Sequence, residues 1–243
     1  MILRSSKFVF KRIVRDITSL GILFIMPLVL ITILGMISDD ALNQNLGIPM
    51  VDSVALSIIL AFQLFAGFYT LELIKHDLLG ARKWRLKSLP IAINRYMFSI
   101  ILVTTIYGGL QSYVITHYTR IIYGVTWGNQ GRLILGIILI SFVVQVMYLN
   151  LALSLDNYKS MERSATTIAL LSMLFGGVWF QLPDNIVLNF MGTYGNPYSL
   201  AQNVLLYVMK NQVTYEGMIS IGIYVLLAGG LLVLSEFRGR RLF

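Results

Sequence analysis

Residues 17–37 read ITSLGILFIMPLVLITILGMI, a run that contains no charged side chain. About 20 apolar residues in a helix bridge the ~30 Å hydrocarbon core of a bilayer, so this run reads as a membrane crossing. Working outward from it, residues 54–74, 96–116, 133–153, 164–182 and 217–234 have similar length and polarity. Together these six stretches take up about half of the 243 residues. The remaining composition agrees: the chain is 57% hydrophobic and 12% charged, with mean hydropathy +0.76. Soluble domains carry about 25% charged residues, so a soluble enzyme is excluded. The expected fold is all-α, a polytopic membrane protein forming a single transmembrane domain over residues 1–243.

Charge sets the orientation. Arg4, Lys7, Lys11, Arg12, Arg15, Lys75, Arg82, Lys83, Arg85, Lys87, Arg95, Lys159, Arg163, Arg238, Arg240 and Arg241 fall on one side of the spans. Only Arg120, Arg132 and Lys210 fall on the other. Cations are retained on the cytoplasmic side, which predicts that both termini are cytoplasmic. The net charge of +8 is then a topological signal, and no nucleic-acid partner is needed to explain it. No small-x-small cleavage site follows the first apolar run, so it is expected to persist as a span.

Two segments read as helices that do not cross. Over residues 1–16, Val9, Phe10, Ile13, Val14 and Ile17 repeat at helical spacing beside a stripe of Arg4, Lys7, Lys11 and Arg15. That pattern fits an interfacial amphipathic helix; the alternative is a basic flank without fixed structure. After the fifth span, Asn196-Pro197 has the form of an N-cap with proline at the first helical position. Leu200, Val204, Leu205 and Val208 mark an apolar face, predicting a short outer-face helix over 197–212, packed back on the bundle.

Catalytic chemistry is missing. The absence of cysteine excludes disulfides and thiolate metal sites. His76 and His117 lie far apart, so no metal site is expected. There is no phosphate-binding Gly-x-x-x-x-Gly-Lys-Ser/Thr loop, His-Glu-x-x-His or Gly-x-Ser-x-Gly. The chain is expected to have no enzymatic activity and no cofactor of its own.

The polar residues inside the spans are few. Glu72 stands one turn from the cytoplasmic end of its span, and a snorkelling pair with Lys75 accounts for it. Phe62, Phe65 and Tyr69 share its face, with Gln63 at the edge; Gln111, Gln145 and Trp179 lie in other spans. Phe62, Gln63, Phe65, Tyr69, Gln145 and Trp179 are candidates to line a path for an amphipathic substrate. The alternative is helix packing with interhelical hydrogen bonds. Gly176-Gly177 permits either a helix break or the close approach of another helix.

The order of these parts resembles the membrane subunit of ABC transporters of the type-2 permease family, small bacterial exporters among them. The shared parts are a basic amphipathic N-terminal helix, a first span containing Met26-Pro27 and a basic segment at 75–95. A glycine-containing fifth span and a short outer helix before the sixth complete the order. The most telling stretch is Lys75-His76-Asp77-Leu78-Leu79-Gly80 running to Leu86-Lys87-Ser88-Leu89-Pro90. It is similar to the family's acidic-x-x-Gly segment with a Leu-x-x-x-Pro ending, although Asp77 stands where Glu is commoner. The resemblance implies a coupling helix that docks on an ATPase subunit, using Asp77, Leu78, Leu79, Arg82, Trp84, Arg85 and Leu86. From the residues alone, a basic loop resting on anionic lipid is the alternative.

The resemblance further implies ATP and magnesium held by separate ATPase subunits, and a second permease copy or a related permease. The location would be a bacterial plasma membrane. The expected cargo is an amphipathic peptide, toxin, or drug-like or lipid-like molecule, with antimicrobial-peptide efflux as one form. A non-transporting immunity or assembly protein in the membrane is the competing expectation.

Overall fold

The structure, a computed structural model, describes residues 2–38, 42–43, 46–80, 84, 93–155, 157–178, 183–212 and 214–241. Helix α1 (Ile2–Arg15) leads into α2 (Ile17–Ile37), followed by a small hairpin of β1 (Leu42–Asn43) and β2 (Ile48–Pro49). Next come α3 (Met50–Ile74), prolonged by a π-helical turn at Lys75–Leu79, α4 (Ile93–Tyr123) and α5 (Gln130–Ser154). The chain ends with α6 (Tyr158–Phe175), α7 (Ile186–Thr193), α8 (Pro197–Met209) and α9 (Tyr215–Arg241). The hairpin is antiparallel, with Leu42 opposite Pro49. Neither it nor α7 was expected from the hydropathy pattern.

Among the described residues, five helices are long and apolar enough to cross a membrane: Ile17–Ile37, Met50–Leu78, Ile93–Tyr123, Gln130–Ser154 and Tyr215–Gly239. The chain is an all-α membrane protein. Helices α3, α4 and α5 make the core, while α2 and α9 flank it with most of their apolar surface outward. In a bilayer that arrangement carries no penalty, because lipid tails are as apolar as the core.

The expected third span, 96–116, extends through Tyr123. Its Thr104, Thr116 and Thr119 hydroxyls donate to carbonyls of their own helix, so these polar residues prolong the helix without ending it. The expected fifth span, 164–182, is not one continuous helix: α6 ends at Phe175. Gly177 adopts φ +70° and its N–H reaches the Leu174 carbonyl, while Val178 N–H reaches that of Met173. This is a Schellman cap. From Ser164 to Phe175 the apolar part of α6 is only about 18 Å long, short of a crossing. Residues 179–182, the expected end of the span, lie outside the described residues.

Helix α8 begins inside the bundle. Its cap Asn196 accepts from Ser199 N–H at 2.9 Å and is buried. The Pro197 carbonyl accepts from the Tyr224 hydroxyl at 2.6 Å, well within α9. A Cβ at Gly176 would lie 2.2 Å from the Tyr198 ring. The predicted helix is therefore present over Pro197–Met209 and packs closely on the bundle.

Proline in α2 is compensated from a neighbour. Pro27 has no N–H, which frees the Leu23 carbonyl one turn earlier, and Gln111 of α4 donates its Nε2 to that carbonyl at 2.7 Å. An unsatisfied carbonyl in hydrocarbon is costly. Gln111→Leu is expected to lose about 1–2 kcal/mol of stability in SDS-titration unfolding. Adding Pro27→Ala, which returns an N–H donor, should recover most of the loss.

The basic segments gather at one end. Arg12 of α1 meets Asp77, Lys75 sits 2.9 Å over the Tyr158 ring, and Arg238 of α9 donates to the Asn150 carbonyl and Ser154 hydroxyl. At the other end Arg132 reaches Asn211, and Lys210 lies beside Gly47.

Candidate functional site

Helix α3 has two faces with different chemistry, centred about 150° apart. On the inner face, Gln63 donates to the Gly108 carbonyl (2.7 Å) and the Ser112 hydroxyl (2.6 Å). Two turns on, Thr70 donates to Gln145 Oε1 at 2.6 Å and lies 2.9 Å from the Thr104 hydroxyl. Between them Gly67 lets the Tyr148 ring approach the backbone; an added Cβ would be 2.6 Å away. Gln63 and Gln145 are thus buried between α3, α4 and α5. Both amides make interhelical hydrogen bonds, and neither is among the residues lining the two grooves described below.

The outer face carries Phe62, Phe65, Tyr69 and Glu72, joined by Phe68. Phe62 and Phe65 meet edge to face at 5.8 Å, and Phe65 and Phe68 are 6.2 Å apart. With Ser19, Ile22, Leu23 and Met26, four positions on one stripe of α2, they enclose a groove of about 490 Å³. On its other flank, Phe62 and Phe65 also border a cavity of about 650 Å³ against α6, where Gly176 and Gly177 form part of the wall. The glycine pair therefore does both things its sequence allowed. Gly177 ends the helix, and Gly176 admits Tyr198.

At the basic end the groove meets a narrow cleft of about 50 Å³ that shares Tyr69 and Glu72 and includes Arg12 and Asp16. Asp16 caps α2 by accepting from Ser19 N–H and also accepts from the Tyr69 hydroxyl at 2.8 Å. The hydrogen bond from Ser19, then that from Tyr69, holds its carboxyl below the usual carboxylate range, so it is ionised at neutral pH. Glu72 is exposed. Among the described residues it forms no ion pair with Lys75, whose ammonium lies on Tyr158 instead. The expected snorkelling pair is replaced by a cation–π contact.

The proposed coupling residues divide. Asp77 is 5% exposed: Arg12 Nη1 reaches both of its carboxylate oxygens, at 2.8 and 2.9 Å, and the Tyr96 hydroxyl donates at 2.6 Å. Leu78 is fully buried. Both side chains are buried here, so a partner could reach them only if this end opened. Trp84 is 73% exposed. Arg82, Arg85, Leu86 and Trp179 lie outside the described residues, as does the Leu79 side chain.

Helix α1 is amphipathic, as its periodicity predicts. Val9 and Ile13 face the core, whereas Phe8, Phe10 and Val14 point outward. Sequence reasoning missed Arg12, Asp16 and Tyr96. The spacing of Arg12 and Asp16 on one stripe was legible, but their partners come from helices distant in sequence. No group of residues able to hold a metal ion occurs among the described residues. The chain matches no protein-family model and no curated protein sequence.

Proposed function

We propose that this chain is the membrane subunit of an ATP-driven exporter of the type-2 ABC kind. It would cross the membrane six times, with both termini cytoplasmic. The observation that carries the reading is the pair of grooves on either side of Phe62 and Phe65, open away from the core. A second copy, or a related permease, facing that surface would enclose a path for an amphipathic molecule. The fifth crossing is made in pieces: α6 starts at the basic end beside Lys75, and α8 ends at Lys210 beside Gly47. ATP and its magnesium belong to the separate ATPase subunit. That subunit would meet the segment bearing Trp84, and movement there would pass through Asp77 to α1 and α4.

The test is purification from the native membrane. The chain is expected to co-purify with an ATPase subunit, and ATP hydrolysis by the complex should be blocked by vanadate. Buried tryptophans dominate many interfaces, so Trp84→Ala should weaken the association about tenfold or more. An intact chain that purifies from those membranes without any ATPase would favour the non-transporting alternative and overturn the reading.

A further inference from the structure

We infer that the groove between α2 and α3 binds hydrophobic organic cations, an inference that rests on the transport reading and names its substrate class. Its volume of about 490 Å³ falls within the ~300–1,000 Å³ typical of sites for drug-sized ligands. Ile22 and Met26 supply one apolar wall, and Phe62, Phe65 and Phe68 the other. Aromatic faces attract cations, most strongly when water is excluded.

The polarity of the groove decides the ligand. Among the described residues that line it, the only charged one is Glu72, in a chain whose net charge is +8. Two of the cations at this end are engaged elsewhere: Lys75 lies on the Tyr158 ring and Arg12 on Asp77. Asp16 adds a second carboxylate in the adjoining cleft, shared with Arg12. An anionic amphiphile would meet the Glu72 carboxylate at the mouth of the groove. A neutral acyl chain would fit the walls but gain nothing from Glu72. A cation gains both contacts, with its charge near the headgroup level and its body in the apolar depth. Glu72 lies one turn before the end of α3, which sets that depth.

The probe is tetraphenylphosphonium, with neutral triphenylphosphine oxide as its counterpart. Binding is measured on the purified full chain in phosphatidylcholine nanodiscs, without ATPase. Glu72→Gln is expected to raise the Kd for the cation about tenfold and leave the neutral compound unchanged. Glu72→Asp should retain most of the affinity. Phe65→Ala should weaken the cation about fivefold through lost aromatic contact. Because Glu72 is exposed and makes no ion pair among the described residues, Glu72→Gln is expected to fold normally, as unchanged thermal unfolding would show.

Equal cation affinity in the wild-type chain and Glu72→Gln would make the groove a lipid seat and overturn the inference. A crosslinked Phe65→Cys dimer that excludes the cation would make it a subunit interface, with the same consequence. These results are independent of ATPase co-purification, so failure of the binding site and failure of the transport reading are distinguishable.

Discussion

Replacing Arg12 with alanine is expected to destabilise the chain by about 3 kcal/mol, because it strands a buried carboxylate. The Asp77 side chain is 7% exposed, against 33% for Arg12. Removing the guanidinium therefore leaves the charge that cannot reach water. The Tyr96 hydroxyl still donates to it, which keeps the loss at the lower end of the ~3–5 kcal/mol range for broken buried pairs. Asp77→Ala should cost less, since Arg12 can turn outward, and the double variant should resemble Asp77→Ala alone. Lys11→Ala, one residue away on the exposed side, should change stability by no more than about 0.5 kcal/mol. SDS-titration unfolding measures all four. Limited proteolysis adds a local readout, because releasing Asp77 should expose α1 to cleavage before the core helices. If Arg12→Ala and Lys11→Ala behave alike, the ion pair does not anchor α1.

The second large effect is expected at the other end of the bundle. Gly128 has φ +62°, and a Cβ there would fall 2.0 Å from the Val208 carbonyl oxygen, a backbone atom. Gly124, four residues earlier, has φ +67° but open space around it. Both alanine variants meet the left-handed strain of about 1–2 kcal/mol. Only Gly128→Ala must also move the end of α8 or the loop, for a total of about 3 kcal/mol or more. Thermal unfolding in detergent should therefore rank wild type above Gly124→Ala, and Gly124→Ala well above Gly128→Ala. Equal losses would mean that α8 does not bear on this loop.

These two positions show how far the sequence could be read. The basic character of the segment holding Arg12 was legible in the sequence. Neither the Asp77 partnership nor the Val208 contact was, because each joins segments more than sixty residues apart. Helix α6 failed for a different reason. The stretch 164–182 is apolar enough on average, yet Gly177 caps the helix and the Tyr198 ring packs against Gly176. Average hydropathy does not register a cap, whereas the local rule for glycine after a helix does.

The candidate site was half legible. Phe62, Phe65, Tyr69 and Glu72 were placed on one face by helical spacing, and the structure puts all four on the same groove. Gln63 was grouped with them, one residue from Phe62, yet it points into the core. Gln111 was noted only as a polar residue in a span. Its role depends on Pro27 in another helix.

By itself the sequence determined that the chain is helical, membrane-embedded and basic at one end. Those properties follow from sums over segments: backbone groups in hydrocarbon must bond within their own helix, and cations stay where the membrane retains them. Tertiary structure alone decided which arc of each helix faces protein and which faces lipid. A bilayer is as apolar as a packed core, so hydropathy carries no signal for that choice. Size and hydrogen bonding make it instead, through Gly67 under Tyr148, Gln111 on the Leu23 carbonyl and Asp77 between Arg12 and Tyr96.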